Sequence, residues 1–395
     1  MRILVVDGNS IVNRAFYGIR PLTNKDGQFT HAIYGFLTML KRLEREENPD
    51  AVAIAFDLKA PTFRHKAYSG YKANRKGMPQ ELASQMPPLK ELLGLLGYRL
   101  VTCEGYEADD ILGTFAYACE HNEHECVIAT GDRDSLQLVS DKTAVHLCTN
   151  RDDILYTPEL IMETYGVTPK ELIEIKAIQG DSSDNIPGVA GIGPKGAGDL
   201  IQKYHSVEYI YDHIDELDIK DGVRRKLLAS KENALLSRML GEINCSAPVD
   251  TDVTKYVVEP KDRAACARYM AKLELFSLID KFGLDELPHE EMTEDDSETL
   301  KIEQNTDGKL LLEKIKSAGK VYLHADISDN ELKSFSACVD GTVYLCDDSE
   351  AFDELLTAPA EKYTRGSKRL FAYADAHGFA VNSLCFDVEL AAYLL

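Results

Sequence analysis

Five carboxylates between Gly105 and Asp134 fall into two tight groups, Glu107, Asp109 and Asp110 in the first, Asp132 and Asp134 in the second. Brought together by a fold, such groups repel one another, and the repulsion is relieved by protonation or by bound cations. Oxygen-only ligands with no histidine or cysteine set beside them suit Mg²⁺ or Mn²⁺ better than Zn²⁺. A further pair, Asp181 and Asp184 in Gly180-Asp181-Ser182-Ser183-Asp184-Asn185, supplies enough carboxylates for two ions. Two divalent ions roughly 3.5–4 Å apart are the usual arrangement for phosphodiester hydrolysis.

The elements that must position these groups can be read around them. The stretch from Gly105 to Asp110 opens an apolar helical run (Ile111, Leu112, Phe115, Ala116). Glu107 and Asp110 therefore share one face of its first turn. Acids at a helix start also cap free N–H groups and complement the macrodipole, so this group alone does not require a metal. Three strand-like runs add weight to the metal reading. Residues 3–6 end at Asp7, residues 51–56 end at Asp57, and residues 126–129 lead through Thr130 and Gly131 to Asp132. Apolar runs separated by helical segments imply a parallel sheet, whose ligands bind outside the carboxyl ends of the strands. Asp7, Asp57 and Asp132 would then reach one rim.

Other residues suit an anionic partner. Residues 59–77 contain Lys59, Arg64, Lys66, Lys72, Arg75 and Lys76, interleaved with Phe63, His65, Tyr68 and Tyr71, and no acid. Aromatic rings stack on unpaired bases while cations follow the phosphate backbone; a solvated basic face is the plainer use. Arg14, in the helix expected after Asp7, stands where it could hold a phosphate or form a surface salt bridge. Residues 188–197, with Gly188, Gly191, Gly193, Lys195 and Gly196, read as a glycine-rich hairpin between two helices, with backbone N–H groups available to phosphate. Tight helix packing is the simpler use of these glycines. The string satisfies GxGxxG, but no β-run precedes it and Pro194 interrupts it, which excludes a dinucleotide loop.

At 395 residues the chain predicts two or three domains, and no run approaches the ~20 apolar residues of a membrane span. Nine scattered cysteines without CxxC spacing point to reduced thiols and a cytoplasmic setting. The net charge of −22 is uneven: residues 1–100 carry 15 Lys/Arg against 9 acids, residues 101–200 only 6 against 19. Binding of a polyanion depends on that local field rather than on the total. One helix is expected across 226–243. Residues 285–298 hold eight acids and no Lys/Arg, which marks a linker, and 320–323, 334–339 and 342–346 then read as strands of a further α/β unit.

Together these motifs resemble the N-terminal 5′-nuclease domain of bacterial DNA polymerase I, a relative of the flap endonucleases, over about residues 1–285. The resemblance rests on Asp7 in Leu-Val-Val-Asp-Gly-Asn-Ser, Pro21-Leu-Thr-Asn followed by Tyr34-Gly-Phe, and Asp57 after its strand. It extends through Glu107-Ala-Asp-Asp, Thr130-Gly-Asp-Arg-Asp and Gly180-Asp-Ser-Ser-Asp-Asn-Ile-Pro-Gly. It implies a parallel-sheet, PIN-like α/β nuclease domain with a helical arch and a helix-hairpin-helix subdomain, followed by a partial RNase H-like α/β domain. The implied boundaries are 1–170 (catalytic), 171–284 (helix-hairpin-helix), 285–300 (linker) and 301–395. By resemblance, Asp7, Asp57, Glu107, Asp109 and Asp110 serve one metal ion, and Asp132, Asp134, Asp181 and Asp184 the other. Lys72 and Arg75 of the arch address the scissile phosphate, with Tyr71 beside them. The hairpin grips duplex backbone and holds a K⁺ ion.

The segment beyond 300 resembles, more distantly, the start of that polymerase's 3′→5′ exonuclease-like domain. His324-Ala325-Asp326 stands where the family has Asp-x-Glu, and Ala372 where a later Asp is expected, so this unit is read as inactive; Asp326 and Asp329 are the alternative pair. The expected protein is a monomeric, two-ion 5′ nuclease of the nucleoid, acting on flapped, nicked or gapped duplex DNA. In the family a C-terminal polymerase domain, absent from this chain, follows. The alternatives are a PIN-like single-strand ribonuclease and a non-catalytic DNA-binding module.

Overall fold

The computed structural model describes residues 1–75, 77–149, 153–260, 262–284, 301–303, 307–328 and 330–394. Lys76, the acidic segment 285–300 and Asp329 lie outside the described residues. The chain divides into two compact units, 1–288 and 289–395.

The first unit is built on six strands: β1 (Arg2–Asp7), β2 (Ala51–Ala55), β3 (Arg99–Val101), β4 (Glu125–Thr130), β5 (Thr143–Cys148) and β6 (Asp153–Tyr156). Their order is β3-β2-β1-β4-β5-β6, parallel except for the antiparallel β6. β1 and β2 are buried along almost their whole length because both faces of the sheet are covered. Leu4, Val6, Val52, Ile54, Val127 and Ala129 pack on one side beneath the helices His31–Glu47 and Met86–Leu95. Ile3, Val5, Ala53, Ile128 and Val145 pack on the other beneath the helix Ala108–His121. The strand order reverses between β1 and β4, and that switch point is where a doubly wound sheet opens a crevice at its carboxyl edge. Asp7 ends β1 and Asp132 follows β4, so the sheet brings both to that crevice.

A helical cluster follows, with Ala177, Ile178, Val189, Ile201, Val207, Ile210 and Leu227 at its core. Its hairpin joins the helices Glu171–Gln179 and Pro194–Tyr204. Two sequence expectations need correction here. The single helix over 226–243 is two, Asp221–Ala229 and Lys231–Gly241, parted at Ser230, a residue type whose hydroxyl competes for backbone partners in mid-helix. The stretch 171–284 is not one body with the hairpin either. Ala247, Val253 and Tyr256 join the core on one face of the sheet, and Cys266, Met270, Leu273 and Leu278 join the core on the other. A second apolar layer thus returns to the strands after the helical cluster.

The second unit holds another six-stranded sheet, β7 (Lys301–Glu303), β8 (Lys320–Ser328), β9 (Glu331–Val339), β10 (Thr342–Cys346), β11 (Glu361–Thr364) and β12 (Leu384–Asp387). Its order is β12-β11-β8-β9-β10-β7, with β8–β9 and β9–β10 antiparallel and the other pairs parallel. The helices Gly308–Ala318, Ser349–Thr357 and Ser367–His377 contribute Leu311, Ile315, Phe352, Leu355, Leu370 and Tyr373 to its core. No helix among the described residues is long and apolar enough to cross a membrane.

Candidate metal centre

Asp7 lies at the end of β1 with each oxygen held once, Oδ1 by the Ser10 N–H at 3.0 Å and Oδ2 by the Thr130 hydroxyl at 2.8 Å. Asp57 is held in the same manner, Oδ1 by the Ala108 N–H at 2.7 Å and Oδ2 by the Asn9 amide at 2.9 Å. Each oxygen keeps a lone pair for a further partner. Burial, with Asp57 and Asp132 repelling its charge, pushes the Asp7 carboxyl up to about 6. The Asp109 carboxyl is pushed well above its ordinary value by burial and by the neighbouring charges of Asp7, Asp132 and Asp57. Four acids from four separate segments of the chain therefore crowd together at mutual electrostatic cost.

Asp134, Asp181 and Asp184 form the second group, with carboxylate oxygens within 4.8 Å of one another. Asp134 opens a 3₁₀ turn capped by the Asp132 carboxylate. Burial and the Asp132 charge raise its carboxyl to about 6 despite an adjacent ammonium. Asp181 is held down at about 2 although burial opposes it, because the Ser183 hydroxyl, the Lys176 ammonium and the Ser183 N–H all favour its charged form. Asp132 thus faces both groups. The sequence-level division of ligands, with Asp132 in the second group alone, is too sharp.

Lys176 was missed by the sequence reading. It is buried in the helix Glu171–Gln179, and its ammonium bridges Asp134 and Asp181, 2.9 Å from the latter. The one available signal is its place four residues after Leu172 on the inward stripe, where an apolar residue is expected. A buried ammonium there is a protein-borne cation between two carboxylates. Lys72 and Arg75 act alike. Lys72, in the left-handed region at φ 54°, donates its N–H to the Asp184 carbonyl at 2.9 Å and sets its ammonium 2.9 Å from Glu107. Arg75 pairs with Asp184, and the Asn74 amide reaches the Ser182 carbonyl at 2.7 Å. The basic turn is docked on the acidic centre.

Three candidates are placed otherwise than the sequence suggests. All four acceptor positions of Asp110 are taken, by two Arg64 nitrogens at 2.8 and 2.9 Å and by the N–H groups of Glu107 and Asn244, both at 2.9 Å. It is 0 % exposed, so it offers an ion no free oxygen. Arg64 is 2 % exposed; beyond Asp110 it donates to the carbonyls of Leu240 at 2.9 Å and Glu242 at 2.7 Å, which leaves it no reach to DNA. The Tyr71 ring is buried with Ile186 and Leu240, and its hydroxyl donates to Glu107 at 3.0 Å, so it presents no stacking face. Sequence spacing gave the right face for Asp110 and the basic run, but not these partners. What they do is fix Glu107, which gathers Tyr71, Lys72 and Arg64 around one carboxylate.

Arg14 points inward and donates to the Cys148 carbonyl. In the hairpin, Gly188 is a packing residue. Its N–H goes to the Ser237 hydroxyl at 2.9 Å, and a Cβ there would stand 2.4 Å from the Gly180 nitrogen. The Gly191 carbonyl accepts from Lys226 at 2.8 Å. Gly193 and Lys195 are exposed at the start of the helix Pro194–Tyr204, with open space around Gly193. In the second unit His324 and Asp326 are exposed on β8 and Ala372 lies in the helix Ser367–His377. Among the described residues, that unit brings no three metal-ligating groups together.

Residues 2–166 match the family of the 5′-3′ exonuclease N-terminal resolvase-like domain, and residues 167–264 that of the 5′-3′ exonuclease C-terminal SAM fold. A DNA polymerase I of Caldicellulosiruptor bescii is 32% identical over 403 aligned residues, covering 100% of this chain and 46% of its own length. A thermostable DNA polymerase I of Thermus thermophilus is 39% identical over 287 residues, covering 73% of this chain and 34% of its own. The chain spans less than half the length of these relatives. A flap endonuclease of bacteriophage T5, solved with DNA and metal ions, shares the fold at a TM-score of 0.52 and 22% identity, over 73% of this chain and 100% of that one. Through its two matched domains, and with its whole length alignable to the N-terminal region of DNA polymerase I, the chain belongs to the 5′-3′ exonuclease family.

Proposed function

We propose that this chain is a structure-specific 5′ nuclease that hydrolyses DNA phosphodiesters at 5′ flaps and at nicked or gapped duplex. The observation that carries the reading is the convergence of Asp7, Asp57, Asp109 and Asp132 on the switch point of the sheet, beside Asp134, Asp181 and Asp184. The donors are oxygen throughout, which fits hard divalent ions, Mg²⁺ or Mn²⁺. Asp7, Asp57, Asp109 and Glu107 would hold one ion, Asp134, Asp181 and Asp184 the other, with Asp132 between. When bound, the ions supply an activated water and charge stabilisation for the leaving oxygen.

The chain's own residues do the rest. Thr130, Ser10, Asn9 and the Ala108 N–H fix the carboxylates, so little reorganisation remains for the reaction. Lys72 and Arg75 neutralise Glu107 and Asp184 in the free protein. With those acids engaged in holding metal, Lys72 and Arg75 would be released to meet the phosphate in the transition state. Gly193, Lys195 and Gly196 at a helix start offer backbone N–H groups to the duplex phosphates; a K⁺ ion, which needs oxygen ligands, would sit on carbonyl groups of the same hairpin. Residues 301–395 are read as an exonuclease-like unit without activity, and a C-terminal polymerase domain is the partner suggested by the DNA polymerases I that the chain matches over less than half of their length.

The test is cleavage of a 5′-labelled flap, the same single strand and a blunt duplex, in Mg²⁺ or EDTA. We expect flap cleavage in Mg²⁺ alone, and faster than on the other two. Preferred cutting of single-stranded RNA would favour a ribonuclease, and binding without cutting would favour a DNA-binding module.

A further inference from the structure

A second constellation of ligating atoms lies on the neighbouring strands β5 and β6, and it differs in chemistry from the carboxylates. His146 and Cys148 are two residues apart on β5 and so share a face, and Asp153 on β6 stands directly opposite Cys148 in the antiparallel register. An imidazole nitrogen, the Cys148 sulfur and a carboxylate oxygen of Asp153 all lie within 4.8 Å of one another. The last turn of the helix His31–Glu47 closes over them. There Glu46 places Oε2 4.0 Å from His146 Nε2, and Asp153 Oδ2 lies at the same distance.

The histidine carries the argument. It is 6 % exposed, and its Nδ1 is 2.7 Å from Glu47 Oε1. Glu47 is itself held by Arg2 at 2.6 Å. With Nδ1 turned to this guanidinium-paired carboxylate, Nε2 is the ring atom left to take a further partner. That Nε2 is buried and has no hydrogen-bond partner among the described residues. A buried polar atom without a partner costs about 1–3 kcal/mol, and this one faces sulfur and carboxylate. A histidine whose far nitrogen donates to a carboxylate is the standard second layer of a metal site, where it fixes the tautomer and raises ligand basicity.

We propose that His146 Nε2, Cys148 Sγ and Asp153 Oδ2 bind one borderline-soft transition-metal ion of the Zn²⁺ class, with Glu46 within reach as a fourth ligand. The mixed N, S and O donors suit Zn²⁺ or Co²⁺ and not Mg²⁺. Binding forms bonds to nitrogen, sulfur and oxygen and releases the Cys148 thiol proton to solvent. Arg42, which pairs with Asp153 Oδ2, moves aside toward Glu46, 3.9 Å away. The other oxygen of Asp153 stays on the Thr149 N–H at 3.1 Å. The ion would tie β5 and the edge strand β6 to the helix end. Because the Cys148 carbonyl holds Arg14, it would also stiffen one side of the nuclease rim.

Cobalt is the probe, added to the full chain as Co²⁺ and followed by the near-ultraviolet thiolate-to-cobalt charge-transfer band. The nuclease carboxylates cannot give that band, since it requires sulfur. We expect one equivalent per chain in the wild type and in Asp134→Ala, and no band in Cys148→Ser or His146→Gln. Glu47→Gln should weaken Co²⁺ binding about 10–100-fold. Absence of the band at excess Co²⁺, or its survival in Cys148→Ser, overturns the proposal. If Cys148→Ser loses its native circular dichroism, Asp153→Asn decides: a tenfold or greater loss of Co²⁺ affinity supports the site, and unchanged affinity overturns it.

Discussion

Arg64→Ala separates the two roles open to a cation in the basic run. In the structure Arg64 neutralises Asp110, which is fully buried, and donates further to two carbonyls at the end of the helix Lys231–Gly241, those of Leu240 and Glu242. Removing the guanidinium leaves the Asp110 charge with only two N–H donors, from Glu107 and Asn244. Breaking one side of a buried pair costs about 3–5 kcal/mol, a large share of the ~5–15 kcal/mol that holds a domain folded. At roughly 2–4 °C per kcal/mol for a unit of this size, the melting temperature should fall on the order of 10 °C. Arg64→Ala/Asp110→Asn should recover part of the loss, since no uncompensated charge then remains. Thermal unfolding by circular dichroism measures the stability, and fluorescence anisotropy of a labelled duplex at several salt concentrations measures binding. A phosphate contact contributes about one unit to the slope of log affinity against log salt, and we expect that slope to stay unchanged. A melting temperature within about 2 °C of wild type together with a slope lowered by about one would refute the buried-anchor role and return Arg64 to the DNA surface.

Three further outcomes follow from the geometry. Lys72→Ala and Arg75→Ala should lower the single-turnover rate at saturating DNA by more than they weaken binding, about 10²-fold each if they stabilise transition-state charge; full recovery of rate at saturation would make them ground-state contacts only. A 3′-labelled single strand in Mn²⁺ should stay intact, because β8 brings His324 and one exposed Asp326 where a metal needs fixed acids; trimming that survives Asp134→Ala but not Asp326→Ala would contradict this. Asp387 accepts the N–H groups of Ser367 at 2.6 Å, Glu389 at 2.8 Å and Gly366 at 3.2 Å, and hydrogen bonds from Ser367 hold its carboxyl below the ordinary range against the opposing effect of burial. A depressed carboxyl stabilises above its unfolded value of about 3.9, so amide-exchange protection of the second unit should fall as pH drops through about 4, and Asp387→Asn should flatten that dependence.

How much of this was legible depended on whether the signal was local. Asp7, Asp57 and Asp132 sit at the ends of apolar runs, and a parallel sheet turns that local fact into a shared rim. The opposite case is Asp110, whose place on the face of Glu107 was readable but whose partner Arg64 is 46 residues away and whose neighbour Asn244 is 134 away. Spacing along a helix gives a direction and never names what lies there. Tyr71 and Arg64 looked like surface groups because basic and aromatic residues alternate around them; burial came from the chain at Leu240 and Glu242 folding over them. Lys176 carried almost no signal, since a lone lysine in an apolar helix is ordinarily a solvated edge. The return of 247–284 to the sheet was invisible for a related reason: an apolar stripe says that something is covered and not which core it joins.

The most direct measurement is the single-turnover rate of 5′-flap cleavage by Asp134→Ala and Asp181→Ala in saturating Mg²⁺, with duplex affinity measured on the same samples. If these acids hold the ion that works on the scissile phosphate, each variant should lose at least about 10²-fold in rate while binding the duplex as well as wild type or better, because repulsion of the phosphate falls. Cleavage at near wild-type rates by either variant would contradict the assignment of Asp134, Asp181 and Asp184 as a catalytic metal site.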